Sequence, residues 1–129
     1  MYKRQAEGCE ALRDYYAGYL DIAREHGTGF VVEAVTWRAN PDWAQRLGFS
    51  PERLDSVNRK AIELAEDVRA AAARDGISAV VSGCVGPREE EMSAAEAERY
   101  HAPQIATFAE TTADQVTGVT IDNLSLIHI

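Results

Sequence analysis

Glu33-Ala34-Val35-Thr36-Trp37-Arg38-Ala39-Asn40 and Ser82-Gly83-Cys84-Val85-Gly86-Pro87 each close an apolar run, and each precedes a helical pattern. In parallel sheets the carboxyl ends of strands line the ligand crevice, so small and polar residues bunched there point to a site rather than to packing. Working outward, Phe30 to Trp37 is too short and too continuously apolar and β-branched for an amphipathic helix. It reads as a strand covered on both faces. Ile77 to Val81 reads as a second strand running into Ser82-Gly83-Cys84-Val85-Gly86-Pro87, and Gln115 to Ile121 as a third.

The segments between these strands carry helical signals. From about Ala6 to His26, Leu12, Tyr15, Tyr16, Tyr19, Leu20 and Ala23 recur three and four apart, and Gly27 stops the helix. Arg38 to Phe49, with Asn40-Pro41-Asp42 and Gly48, reads as a connecting loop or a short turn of helix. Ser50 as N-cap, Pro51 at the first helical position and Glu52 at the positive end of the dipole open a helix expected to reach Arg74. Its apolar stripe of Leu54, Val57, Ala61, Leu64, Ala65 and Val68 is expected to lie on the sheet as core, not as a partner-binding face. After a solvated loop containing Glu89-Glu90-Glu91, Ser93 and Glu96 form a capping box. The helix that follows carries Ala97, Tyr100, Ile105, Phe108 and Ala109, with a kink expected near Arg99 or Tyr100 because Pro103 lacks a backbone donor.

The order α, β, α, β, α, β implies parallel strands joined by right-handed crossovers. A doubly wound nucleotide-binding sheet would place Gly-x-Gly-x-x-Gly after its first strand, and none of the three strands has it. The polar and small strand endings, Thr36, Ser82, Gly83, Cys84, Gly86, Thr117 and Thr120, suit a (β/α)8 barrel. Three such units are less than half of a complete barrel of about 250 residues. The fold class expected is therefore α/β, a partial (β/α)8 TIM barrel of three parallel strands alternating with helices.

Composition excludes several function classes. The 129 residues suffice for one domain with a core, 46% being hydrophobic and 26% charged. Lys and Arg number 13 against 21 Asp and Glu, a net charge of −8, and no cationic cluster suits nucleic acid or an anionic membrane. No stretch approaches the roughly 20 apolar residues needed to cross a bilayer, and the start lacks a secretory pattern, so a cytoplasmic protein is expected. Cys9 and Cys84 have neither the spacing nor the His neighbours of a zinc site, and they are not expected to pair in a reducing compartment.

Four pieces in order resemble the homocysteine S-methyltransferase family: Glu33 to Asn40; Val57-Asn58-Arg59-Lys60-Ala61 with Glu63-Leu64-Ala65; Val81 to Pro87; and Tyr100-His101-Ala102-Pro103-Gln104. The likeness runs from about Asp14 to Ile121 and corresponds to the second to fourth strands of that family's barrel. It implies zinc-dependent transfer of a methyl group from a donor such as S-methylmethionine to the thiol of homocysteine, giving methionine. A free thiol titrates near about pH 8.5, and zinc coordination deprotonates it and holds it in line with the donor. The family's zinc ligands are cysteines at the ends of the sixth and eighth strands, so the resemblance places them outside this chain. It also implies an acidic residue for the substrate amine at the end of the fourth strand, where this chain has Val119 followed by Thr120. A cationic sulfonium donor would suit Trp37, Trp43 and Glu33.

Thr36, Trp37, Arg38, Cys84 and Thr120 are the substrate-binding candidates, with small-molecule partners (homocysteine and the methyl donor), no nucleic acid and no membrane. No residue of the chain is assigned a catalytic role. Packing is the simpler reading of Cys84, and ordinary loop packing competes for Thr36, Trp37 and Arg38. Glu33 must either find a partner on the barrel interior or sit at an open edge. His101 is expected to be structural or a surface residue.

The barrel domain is expected over residues 6–123. Residues 1–5 and 124–129 read as non-native ends flanking a truncated gene fragment, with an open frame expected past Ile121 at the genomic locus. The isolated polypeptide is expected to be inactive. The alternatives are a noncatalytic half-barrel that self-associates through open sheet edges, or another TIM-barrel enzyme.

Overall fold

The computed structural model describes residues 2–88, 90 and 92–121, with backbone alone for residues 2–5. The residues beyond Ile121, including 124–129, lie outside the described set. Seven elements follow in order: α1 Tyr2–His26, β1 Phe30–Glu33, α2 Pro41–Arg46, α3 Pro51–Arg74, β2 Ala79–Val85, α4 Ala94–Ala109 and β3 Gln115–Gly118. The strands form one parallel sheet in the order β1-β2-β3. That sequential order, without a reversal, is what successive βα units of a barrel produce.

The registers Val32↔Val81 and Gly83↔Val116 sort the side chains into two faces, because aligned residues of parallel strands point the same way. Val32, Ala34, Val81 and Val85 meet Tyr16, Leu20, Ile62, Ala65, Val68 and Phe108 in the core between sheet and helices. Glu33, Ser82, Cys84 and Thr117 occupy the opposite face with Val31, Val35 and Val80, and these three valines are exposed. Gly83 is glycine for space: a Cβ there would come within 2.6 Å of the Phe108 ring.

Several boundaries move from the sequence expectation. β1 stops at Glu33 rather than Trp37, since the Thr36 N–H turns back to the Ala34 carbonyl at 2.8 Å. β2 starts two residues later than Ile77 and reaches Val85, and β3 stops at Gly118 rather than Ile121. α1 begins at Tyr2, four residues before Ala6. The loop between Arg38 and Phe49 contains α2, capped by the Asn40 Oδ1 accepting from the Trp43 N–H at 3.2 Å, with Pro41 opening the helix.

α3 fits its expected limits, and Ser50 Oγ accepts from the Arg53 N–H at 3.3 Å. Leu64, Ala65 and Val68 of its expected stripe are buried, joined by Asn58, Ile62 and Ala72, while Val57 is exposed. Asn58 tolerates burial because its amide is fully engaged, as the site shows below. In α1, Tyr16, Leu20 and Ala23 face the core while Tyr15 and Tyr19 stack edge to face in solvent. α4 opens with the Ser93–Glu96 capping box and continues through Pro103 to Ala109.

Candidate functional site at the carboxyl ends of the strands

Where β1 stops, a side chain takes over its ladder. The Cys84 backbone points both its N–H and its carbonyl toward β1, and Thr36 Oγ1 accepts from the first at 3.1 Å and donates to the second at 2.7 Å. Thr36 is fully buried, and its single hydroxyl proton is committed to that bond. Two helices hold the same turn from below. Gln104 of α4 donates to the Thr36 carbonyl at 3.2 Å and to Asn58 Oδ1 at 3.0 Å, and Asn58 of α3 donates to the Ala39 carbonyl at 3.1 Å.

The next residue reaches across the mouth. Trp37 Nε1 donates to the Val119 carbonyl at 3.3 Å and to Thr120 Oγ1 at 3.1 Å, so the ends of β1 and β3 are joined over β2. Thr120 adopts a φ of +56°, a left-handed conformation that a β-branched residue enters only under constraint. Gly86 lies directly beneath this bridge: a Cβ there would stand 2.2 Å from the Trp37 carbonyl oxygen. The close approach of two backbones explains the glycine.

Arg38 completes the rim. Its guanidinium carbon lies 5.1 Å from the centre of the Trp37 ring and 4.7 Å from that of Trp43, and Arg46 stacks on Trp43 at 4.8 Å. Each indole thus already carries at least one of the protein's own cations over its ring. Beside them Arg88 donates to Asp42 Oδ2 at 2.9 Å and lies over the Tyr100 ring, tying the loop after β2 to the start of α2.

Below the mouth, on the face away from the helices, Ser82 Oγ sits 2.7 Å from Thr117 Oγ1 and 3.3 Å from Glu33 Oε1. Burial pushes the Glu33 carboxyl above its ordinary range, and the neighbouring polar side chains of Ser82, Cys84 and Thr117 offset this in part. The Cys84 thiol is pushed up to about 12 by burial and by the neighbouring Glu33 carboxyl. Glu33 therefore takes the interior position with partners rather than a bare edge.

The five substrate-binding candidates come together: Thr36 with Cys84, and Trp37 with Arg38 and Thr120. Pattern reading gave no role to Asn58 and Gln104, which brace the turn; His101 is 2% exposed. His101 was expected to be structural or at the surface, and it is buried. Burial lowers its pKa, and neither ring nitrogen has a partner among the described residues. A polar residue inside an apolar stripe, as Asn58 is between Leu54 and Ile62, was the available signal for such bracing.

The family model of homocysteine S-methyltransferase matches residues 3–128. The chain belongs to the homocysteine S-methyltransferase family. Two solved structures of the homocysteine methyltransferase MmuM from Escherichia coli share its fold. The oxidized form aligns with a TM-score of 0.76 at 22% identity, over 98% of this chain and 47% of that one. The metallated form aligns with a TM-score of 0.70 at 21% identity, over 92% and 43%. No curated protein sequence matches. This member of the family thus spans less than half the length of those structures, and its three parallel strands with alternating helices are a partial (β/α)8 barrel.

A metal can be tested against the residues present. Among the described residues no group of three His, Cys, Asp or Glu is placed to hold an ion. The zinc implied by the family resemblance does not fit the described part of this chain. No described helix is long and apolar enough to cross a membrane.

Proposed function

We propose that this chain forms one side of the pocket of a methyltransferase that moves a methyl group from a donor such as S-methylmethionine to the sulfur of homocysteine, giving methionine. The observation that carries the reading is the joining of three parallel strand ends through Thr36–Cys84 and Trp37–Thr120, the place where barrels of this kind assemble their sites. In the reaction the acceptor thiol gives up its proton, its sulfur bonds to the methyl carbon, and the donor's carbon–sulfur bond breaks. Trp37, Arg38 and Thr120 form the rim that substrate meets, while Thr36 and Cys84 set the position of that rim. Zinc, where the reaction uses it, would be held by residues outside the described part of this chain and would keep the acceptor sulfur as a thiolate.

The polypeptide alone is proposed to be inactive, and the natural protein to work in the cytoplasm. A longer gene product carrying the remaining strands should bind zinc and form methionine from homocysteine and S-methylmethionine. A folded product that does neither would remove the reading. The exposed Val31, Val35 and Val80 favour a second reading for the chain by itself, self-association through the uncovered sheet and its edges. A concentration-independent monomer in sedimentation would exclude it.

A further inference from the structure

We propose that Arg38 is the receptor for a carboxylate on the methyl acceptor, and so a specificity-determining residue of the strand mouth. Stacking uses the face of a guanidinium and leaves its edge, where all five N–H donors lie, free to bond in plane. The Arg38 guanidinium carbon lies over the Trp37 and Trp43 rings, and among the described residues its donors have no hydrogen-bond or ion-pair partner. Other arginines near the site are spoken for: Arg88 is paired with Asp42 at 2.9 Å and Glu90 at 3.5 Å, and Arg59 with Asp55 and Glu110.

The placement has a second consequence. Trp37 is bonded to the backbone and hydroxyl at the end of β3, so the exposed arginine rests on a platform anchored to two strands. A guanidinium with its torsions restrained loses less entropy when it takes a carboxylate in two parallel hydrogen bonds. The strand-end position next to that platform is Val119, which offers no charge to an ammonium. The rim therefore selects for the acidic end of a substrate.

The choice of substrate rests on the methyl-transfer reading, but the binding can be measured without turnover. In the 129-residue chain Trp37 and Trp43 are the only two tryptophans, so their indole N–H resonances report the site directly, with Trp43→Phe giving the assignment. Reduced homocysteine and 4-mercaptobutyrate should shift both resonances in a saturable way, whereas 3-aminopropane-1-thiol, which lacks the carboxylate, should not. Arg38→Gln should weaken the two carboxylates by roughly tenfold or more, and Arg38→Lys should fall between, since a charge-assisted fork is being replaced by a point charge. Equal shifts with the aminothiol, or an Arg38→Gln chain that is folded and titrates like the parent, would overturn the assignment, and a lysine variant equal to the parent would overturn its bidentate geometry. Failure of methyl transfer in the longer protein, with carboxylate discrimination intact, would instead count against the reaction.

Discussion

Replacing Thr36 with valine removes one oxygen and almost no volume, yet it should be among the most damaging single changes in the chain. The hydroxyl is the partner of both the Cys84 N–H and the Cys84 carbonyl, at a point where β1 has already turned away and Cys84 is buried. Leaving a buried backbone group unpaired costs about 1–3 kcal/mol. Two such groups, offset slightly by the added methyl, put the expected loss at about 1–5 kcal/mol, a large part of the roughly 5–15 kcal/mol typical of a domain. Urea unfolding followed by tryptophan fluorescence should show a lower midpoint at unchanged slope. Thr36→Ser keeps the oxygen and drops one methyl, so it should cost only about 1 kcal/mol. A valine variant within about 0.5 kcal/mol of the parent, or a serine variant worse than valine, would refute the claim that the hydroxyl completes the ladder.

Three further outcomes follow from the same geometry. Gly86→Ala should destabilise the chain and alter Trp37 fluorescence, because its Cβ would meet a backbone oxygen at 2.2 Å and no side chain can simply rotate away; a midpoint equal to that of the parent would count against it. His101 is held neutral by burial, so the unfolded chain, with an ordinary His value near about 6.5, binds the extra proton first on acidification. Stability should therefore fall as the pH drops below about 6.5, and His101→Gln should flatten that slope; Glu33, whose raised pKa acts in the opposite direction, stays in both chains as a common background. Cys84, buried with a thiol near 12, should resist maleimide in the native chain and react only on unfolding, while the partly exposed Cys9 labels first; two equally fast thiols would contradict the burial.

How much of this was legible in the sequence depended on whether the signal was local. The cap Ser50-Pro51-Glu52 fixed the start of α3 because capping uses neighbouring residues alone, and the parallel order followed from the spacing of apolar runs. The strand ends were misplaced for a nonlocal reason. Val35, Thr36 and Trp37 all favour extended structure, but the ladder they would make is replaced by the Thr36 side chain on Cys84, 48 residues away. The stripe of α3 was read correctly at Leu64, Ala65 and Val68 and missed at Asn58, because hydrophobicity alone cannot show that Asn58 will be satisfied by Ala39, Leu54 and Gln104. That the five candidate residues lie together was legible, because the ends of neighbouring parallel strands converge. Their division of labour was not, since it depends on which side chain spends its hydrogen bonds on the backbone.

That division links stability to recognition. Thr36 and Trp37 are adjacent, and because the first faces down into the ladder the second is turned outward across the mouth, where it meets Thr120. Gly86 permits the two backbones to lie close enough for that reach, and Gln104 and Asn58 fix the turn from the helix side. The indole so placed is the surface on which Arg38 rests. A defect at Thr36 should thus disturb the rim without touching it, and Thr36→Val should loosen carboxylate binding as well as the fold. Arg38→Gln should do the first without the second, because it removes an exposed charge whose ring contacts add little to the core. If both variants lost stability equally, the arginine would be a structural clamp, and the anchored platform would have no claim to serve a ligand.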